Sequence, residues 1–220
     1  MPTDIQIIPA ILATTEEEYR EKIEKVSTCP EFAEGWVQID IMDGKFVQNQ
    51  SVGPQVLEKY PTESKIEAHL MIQDPSQAIF YLIEAGVKRI VLHVESDGVG
   101  DNLAYIEDEG VENGLAINPE TSLEKSAPYL KDVDTVLIMS VYPGAQGRDF
   151  IPESLEKIRE CSRMRAKGNL NFKIEVDGGI SVENAKLVLE AGADRLIIGE
   201  YLINGNIAEN LEKIRQSLRD

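Results

Sequence analysis

Short apolar runs rich in β-branched residues alternate with amphipathic stretches along the chain. Eight runs stand out: Ile5 to Ile8, Trp36 to Ile41, Lys65 to Met71, Arg89 to Val94, Gly114 to Ile117, Thr135 to Val141, Phe172 to Val176 and Arg195 to Gly199. Strands that alternate with helical patterns predict βα units and a parallel sheet. Eight units in 220 residues leave about 27 residues per unit, the compact end of the barrel range. The pattern predicts an α/β fold, a single (β/α)8 TIM barrel over residues 1–220, with no linker or low-complexity segment between units. One weak internal repeat agrees with it. EAGVKRIVLHV from Glu84 and EAGADRLIIGE from Glu190 each end a helix at a glycine, Gly86 or Gly192, and turn through charged residues into a strand. The spacing is about four units, as half-barrel duplication requires, although Ala-Gly is also common wherever a helix ends.

Composition changes the picture little. Apolar residues make up 42% of the chain and charged residues 28%, which is ordinary for a soluble globular protein. The longest apolar runs are too short to span a bilayer, and the N-terminus lacks the basic region of a signal peptide, so no membrane partner and a cytoplasmic location are expected. Cys29 and Cys161 have neither metal-site nor redox spacing and read as reduced thiols. A formal net charge of −17 leaves no basic stripe to replace counterions on phosphates, so nucleic acid is not an expected partner. Acid-rich helix faces such as TTEEEYREKIEK, Thr14 to Lys25, account for the charge as solvation.

Chemistry is expected where the strands end, because barrels of this kind collect function at their C-terminal face. The second strand offers Gln38, Asp40 and Met42, with Gln38 and Asp40 two residues apart and therefore on one side. The third offers His69 and Met71, the sixth Met139, and the seventh Glu175 and Asp177. Asp40 and Asp177 would face each other across the barrel mouth. Two opposed carboxylates suit a transfer in which one base removes a proton from carbon and the other delivers one to the opposite face. The carbon must adjoin a carbonyl, and the enediolate needs a metal ion or fixed donors, which Asp40, His69 and Asp177 could provide by holding a divalent ion. Taken singly, the aspartates read as turn or capping groups and His69 as a satisfied buried histidine. Their joint placement favours a site. YPGAQG, DGGIS and Gly199 put glycines where backbone N–H groups can approach a phosphate, though each loop taken alone is also explained by a tight turn.

The ordered series IIPAIL, DIMDGKFV, AHLMI, LHVE, MSVYPG, FIPESLEKI, EVDGGI and AGADRLIIG resembles the ribulose-phosphate 3-epimerase family of (β/α)8 barrels over nearly the whole chain. The resemblance implies that Asp40 and Asp177 are the acid/base pair and metal ligands, and that His69 is a further ligand. It also implies that Met42, Met71 and Met139 form an apolar cap beside the substrate, and that Gly144, Gly147, Gly178, Gly179 and Gly199 hold a sugar phosphate. The implied cofactor is a divalent metal: zinc, magnesium, manganese or iron. The implied reaction is ribulose 5-phosphate to xylulose 5-phosphate. A homo-oligomer is compatible with all of this.

The departures from the family pattern fall at the same places. Gln38 stands where members usually have a histidine ligand, Ala10 where they have serine, YPGAQGR where they have NPGFGGQ, and Glu200 where they have serine after Gly199. An amide oxygen binds zinc less well than imidazole and suits harder ions. Glu200 either occupies the place of a phosphate or pairs with Arg148. The same chemistry on a different or unphosphorylated sugar, or a noncatalytic sugar-binding barrel, therefore stands beside the main reading. A barrel decarboxylase of the orotidine monophosphate type fits less well, since Met42 stands where it would carry lysine. No inward lysine at a strand end suggests a Schiff-base aldolase.

Overall fold

A computed structural model describes residues 5–219. Eight parallel strands, β1 (Gln6–Leu12), β2 (Trp36–Met42), β3 (Lys65–Met71), β4 (Arg89–His93), β5 (Glu112–Ile117), β6 (Thr135–Met139), β7 (Lys173–Asp177) and β8 (Arg195–Ile198), close into a barrel in sequence order. Around it lie α1 (Glu16–Ser27), α2 (Pro30–Ala33), α3 (Gln55–Lys59), α4 (Ser76–Glu84), α5 (Val99–Asp108), α6 (Ser154–Gly168), α7 (Ala185–Glu190), α8 (Glu200–Ile203) and α9 (Ile207–Arg219). Among the described residues no helix is long and apolar enough to cross a membrane.

The strand positions follow the sequence pattern with instructive shifts. The first run reads as ending at Ile8, yet β1 continues to Leu12. Pro9 is in register with Ile198 of β8, and pairing with β2 begins only at Ala10, opposite Gln38. The ring thus falls where the strand passes from one neighbour to the other. The sixth run reads to Val141 but β6 ends at Met139, where the Ser140 hydroxyl turns onto the carbonyls of Asp177 and Gly178, at 2.9 and 2.7 Å. β7 runs one residue further than its apolar run, so Asp177 is its last residue.

The strands bury both faces. Residues facing outward join the helices in one large apolar cluster. Inside the barrel the apolar filling is small, with Ile8, Ala10, Val91, Ala116, Leu137, Met139, Val141 and Ile197 at its centre. Polar side chains lie on either side of this plug. On one side Arg89, fully buried, stacks its guanidinium 4.0 Å above the Trp36 ring and binds Glu67, Glu175 (2.9 Å) and Glu112 (2.7 Å). Arg195 joins the same Glu175 oxygen at 2.7 Å. Arg89 and Arg195 open the two strands that follow Gly86 and Gly192, both of positive φ, so the internal repeat delivers equivalent arginines to one carboxylate. Burial and the charge of Glu175 outweigh the pull of Arg89 and lift the Glu67 carboxyl to about 8.

Helix α1 shows how the acidic surface is used. Thr15 caps it by accepting from the Glu18 N–H at 3.2 Å, and Glu18 accepts in turn from the Thr14 N–H at 2.8 Å. Glu16, Glu17 and Glu18 fill its first turn, where negative charge is favoured.

Candidate active site

Register carries Asp40 to the barrel mouth, with Gln38 below it. Asp40 is paired with His69, and Gln38 with Glu67, so period-two alternation stacks Gln38 beneath Asp40 and Glu67 beneath His69. Met139 is likewise paired with Asp177. The result is a cavity of about 380 Å³ lined by Asp40, His69 and Asp177, with Met71, Met139 and Ile197 as apolar wall. Gly144, Gly147, Gly178, Gly179, Gly199 and Glu200 also line it. Met42 is buried and is not on the cavity wall, and Gln38 lies wholly beneath it.

Gln38 joins the two carboxylates. Its Nε2 donates to Asp40 Oδ1 at 2.7 Å and to Asp177 Oδ2 at 2.8 Å. Its Oε1 is buried with no hydrogen-bond partner, a costly state for an amide oxygen. His69 completes the group, with Nδ1 3.1 Å from Asp40 Oδ1 and 3.6 Å from Asp177 Oδ2. Burial and the neighbouring Asp40 charge lift Asp177 to about 7.

A second pair of side chains, absent from the sequence-based expectations, fixes the tautomer of His69. His69 Nε2 lies 2.9 Å from His93 Nε2, and His93 Nδ1 lies 3.2 Å from Glu95 Oε2. Burial pushes the Glu95 carboxyl up, but the His93 bond and others, including the Asn118 N–H on Oε1, bring it down to about 2. Burial lowers His93 to about 4 against the pull of Glu95, so its ring is neutral near pH 7. A neutral His93 that donates Nδ1–H to Glu95 must accept at Nε2, hence His69 donates Nε2–H to it. The remaining nitrogen, His69 Nδ1, then faces two carboxylates and needs either a proton or a cation. Burial opposes charge on His69, yet Asp40 and Asp177 outweigh it and hold its pKa above the ordinary value. The one local clue to this relay was LHVE at the end of the fourth run, whose polar residues sit one layer from the triad.

Asp40, His69 and Asp177 offer donor atoms that all lie within 4.8 Å of one another, a group able to hold a metal ion. The orphaned Gln38 Oε1 fits such an ion as well. Rotating the amide by half a turn would satisfy it by placing the oxygen between the carboxylates, for an oxygen-rich set with one imidazole.

The other aspartate of IDIMDG has a different task. Asp43 Oδ1 accepts from the N–H groups of Lys45 (2.8 Å) and Phe46 (2.9 Å), and Oδ2 from that of Gln73 (2.9 Å), so it ties the loop after β2 to the one after β3. Phe46 is thereby set 4.7 Å from the His93 ring, over the relay. Gly178 and Gly179 have φ of 121° and 62°, and added Cβ atoms would meet Val141 and Phe150. Glycine is required there by the turn itself as well as by the cavity.

The profile of the Ribulose-phosphate 3 epimerase family matches residues 6–203. This chain belongs to that family. A ribulose-phosphate 3-epimerase of Synechocystis sp. is 36% identical over 100% of this chain and 96% of its own length. One of Chlamydia pneumoniae is 39% identical over 81% of this chain and 80% of its own length. Among solved structures, KGPDC from Streptococcus mutans superposes with a TM-score of 0.70, covering 98% of this chain and 98% of that one at 15% identity, a likeness of fold alone. Membership in the epimerase family makes the chain one of a group of isomerases.

Proposed function

We propose that the protein inverts the carbon next to the ketone of a small sugar phosphate, ribulose 5-phosphate to xylulose 5-phosphate first of all, the substrate for which its relatives are named. The observation that carries this reading is the convergence of Asp40, Asp177 and His69 Nδ1 on one side of the cavity. One carboxylate takes the proton from the carbon and the other returns a proton to the opposite face. Gln38, donating to both, fixes their spacing from below and leaves their other oxygens toward substrate. The Glu95–His93 pair holds the His69 ring in place. Met71 and Met139 cover the reacting carbon with polarizable, water-excluding surface. A divalent ion held by Asp40, His69 and Asp177 would supply positive charge for the oxygens of the enediolate, and with such an ion bound the Gln38 amide would turn its oxygen to it in place of the two Nε2 bonds.

The reaction is tested by incubating the native protein in deuterium oxide with D-ribulose 5-phosphate and, separately, with free D-ribulose. Deuterium is expected at C3 of at least one of them, together with the C3 epimer. No incorporation into either sugar, with manganese, magnesium or zinc supplied, would remove the reading.

The donor set also bears on which metal is held. Three oxygens and one nitrogen favour manganese or magnesium over zinc. Gln38→His is expected to raise zinc retained after dialysis against a chelator by tenfold or more, as counted by elemental analysis. Stoichiometric zinc surviving the same dialysis in the native protein would contradict this.

A further inference from the structure

The carboxylates that flank the reacting carbon also decide where a phosphate can go. Asp40 and Asp177 repel a dianion, so the phosphate of a bound ketose has to lie away from them. There the cavity is walled by the loop after β6, up to Arg148, and by the residues after β8, Gly199 to Tyr201. Among the described residues that line the cavity, Arg148 is the only lysine or arginine. The glycine turns supply backbone dipoles but no net charge.

Arg148 is fixed in its backbone and free in its side chain. Its carbonyl packs on the turn after β7, 2.9 Å from where a Cβ on Gly179 would stand, so the loop seats there only because Gly179, at φ 62°, has no side chain. Three residues on, the Ile151 N–H donates to the Ser140 carbonyl at 2.8 Å, and the Ser140 hydroxyl donates to the carbonyls of Asp177 and Gly178. The end of β7 thereby holds the segment that carries Arg148. The side chain itself is exposed. Every other arginine of the chain pairs with a carboxylate, and Arg148 pairs with none among the described residues. In a chain of net charge −17, an arginine left unpaired on a cavity wall is available to an anionic ligand.

The neighbouring charges leave this task to Arg148. Glu200, on the same wall, is exposed and held by one bond, in which Asn204 Nδ2 donates to its Oε1 at 3.2 Å, so it can turn to water when a dianion enters. Lys22 stands behind Gln146, whose Oε1 accepts from it at 3.4 Å, and is not on the wall. It donates to the Leu12 carbonyl and to Glu18, both at 2.6 Å, and its charge is matched by Glu18. We propose that Arg148 selects a phosphorylated substrate, its guanidinium holding the phosphate through two parallel N–H···O bonds while Asp40 and Asp177 flank the carbon next to the ketone. Family resemblance places glutamine at this position, so the charge is this chain's own contribution to substrate choice. The proposal rests on the epimerase reading for the reaction, whereas the phosphate contact is tested without turnover.

Two measurements test it. In calorimetric titration with inorganic phosphate, Arg148→Gln is expected to bind about tenfold or more less tightly than native protein, the effect of losing one charge-assisted hydrogen bond. Equal affinity in the two proteins, or no binding by either, would overturn the proposal. In deuterium-exchange kinetics, Arg148→Gln should lower kcat/KM for D-ribulose 5-phosphate by a similar factor, carried mainly by KM, and should lower it much less for free D-ribulose. An equal loss on both sugars would also overturn it, since Arg148 would then act on the site as a whole and not on the phosphate. If no ketose undergoes exchange, the epimerase reading falls, while the phosphate titration still decides for or against Arg148.

Discussion

Asp177→Asn and Asp40→Asn should each lower epimerisation by the ~10²- to 10⁴-fold that a positioned acid or base contributes, and they should do so asymmetrically. Each carboxylate serves one face of the carbon. Each variant should therefore stop solvent deuterium entering one epimer at the reacting carbon while still labelling the other, and the two variants should differ in which epimer they label. This pattern separates proton transfer from loss of the common site, because a collapsed site or a lost ion would silence both epimers in both variants. Asparagine keeps the shape of the side chain, and its amide can still meet Gln38 Nε2, which donates to both carboxylates at 2.7 and 2.8 Å in the native protein. The fold is thus expected to survive, with the urea midpoint as a check. Undiminished exchange of both epimers in Asp177→Asn would exclude the two-base mechanism.

Arg89→Met should destabilise the barrel by about 3–5 kcal/mol, the cost of leaving a buried ion-pair network without its central charge. The guanidinium is fully buried, stacks on Trp36 and contacts Glu67, Glu112 and Glu175. Glu175 keeps Arg195 when Arg89 is removed, and Glu112 is half exposed. Glu67 alone is left deep in the barrel, fully buried and without the guanidinium that satisfied it. Adding Glu67→Leu to Arg89→Met should therefore recover most of the loss, since an apolar pair can replace a buried ion pair at little cost. Urea titration of the two variants against native protein measures both numbers. A loss below about 1 kcal/mol for Arg89→Met would mean that water reaches this layer, since exposed pairs contribute no more than that.

The site was legible in part. Asp40, His69 and Asp177 lie at or within two residues of the ends of strands whose runs are plain in the sequence, so their meeting at one mouth followed once eight units were counted. Gln38 was recognised as the polar partner of Asp40, but not as the donor that joins Asp40 to Asp177. Asp43 stands only three residues from Asp40, and its three backbone hydrogen bonds, which hold a loop, leave no mark on the local pattern. His93 and Glu95 were passed over because LHVE reads as the end of an apolar strand. Glu67, Arg89, Glu175 and Arg195 gave no warning of a network, since they lie on four different strands and meet only when the barrel closes.

Local pattern carries the number of strands, the direction each side chain takes within a strand, and the turns that need glycine, because these depend on neighbours a few residues away. From these the sequence by itself determined the barrel and the identities of the acids at its mouth. Tertiary structure alone decided contacts between distant strands and loops: the Gln38 bridge to Asp177, the relay from His69 to Glu95, and the placing of Glu200 against Gly147 and of Gln146 over Gly199. Those contacts depend on the register with which β1 to β8 close and on the path of two loops, and residues that meet there are separated by up to 139 positions. No periodicity records such distances, so the choice between an Arg148-paired Glu200 and one lying in the cradle could only be made in three dimensions.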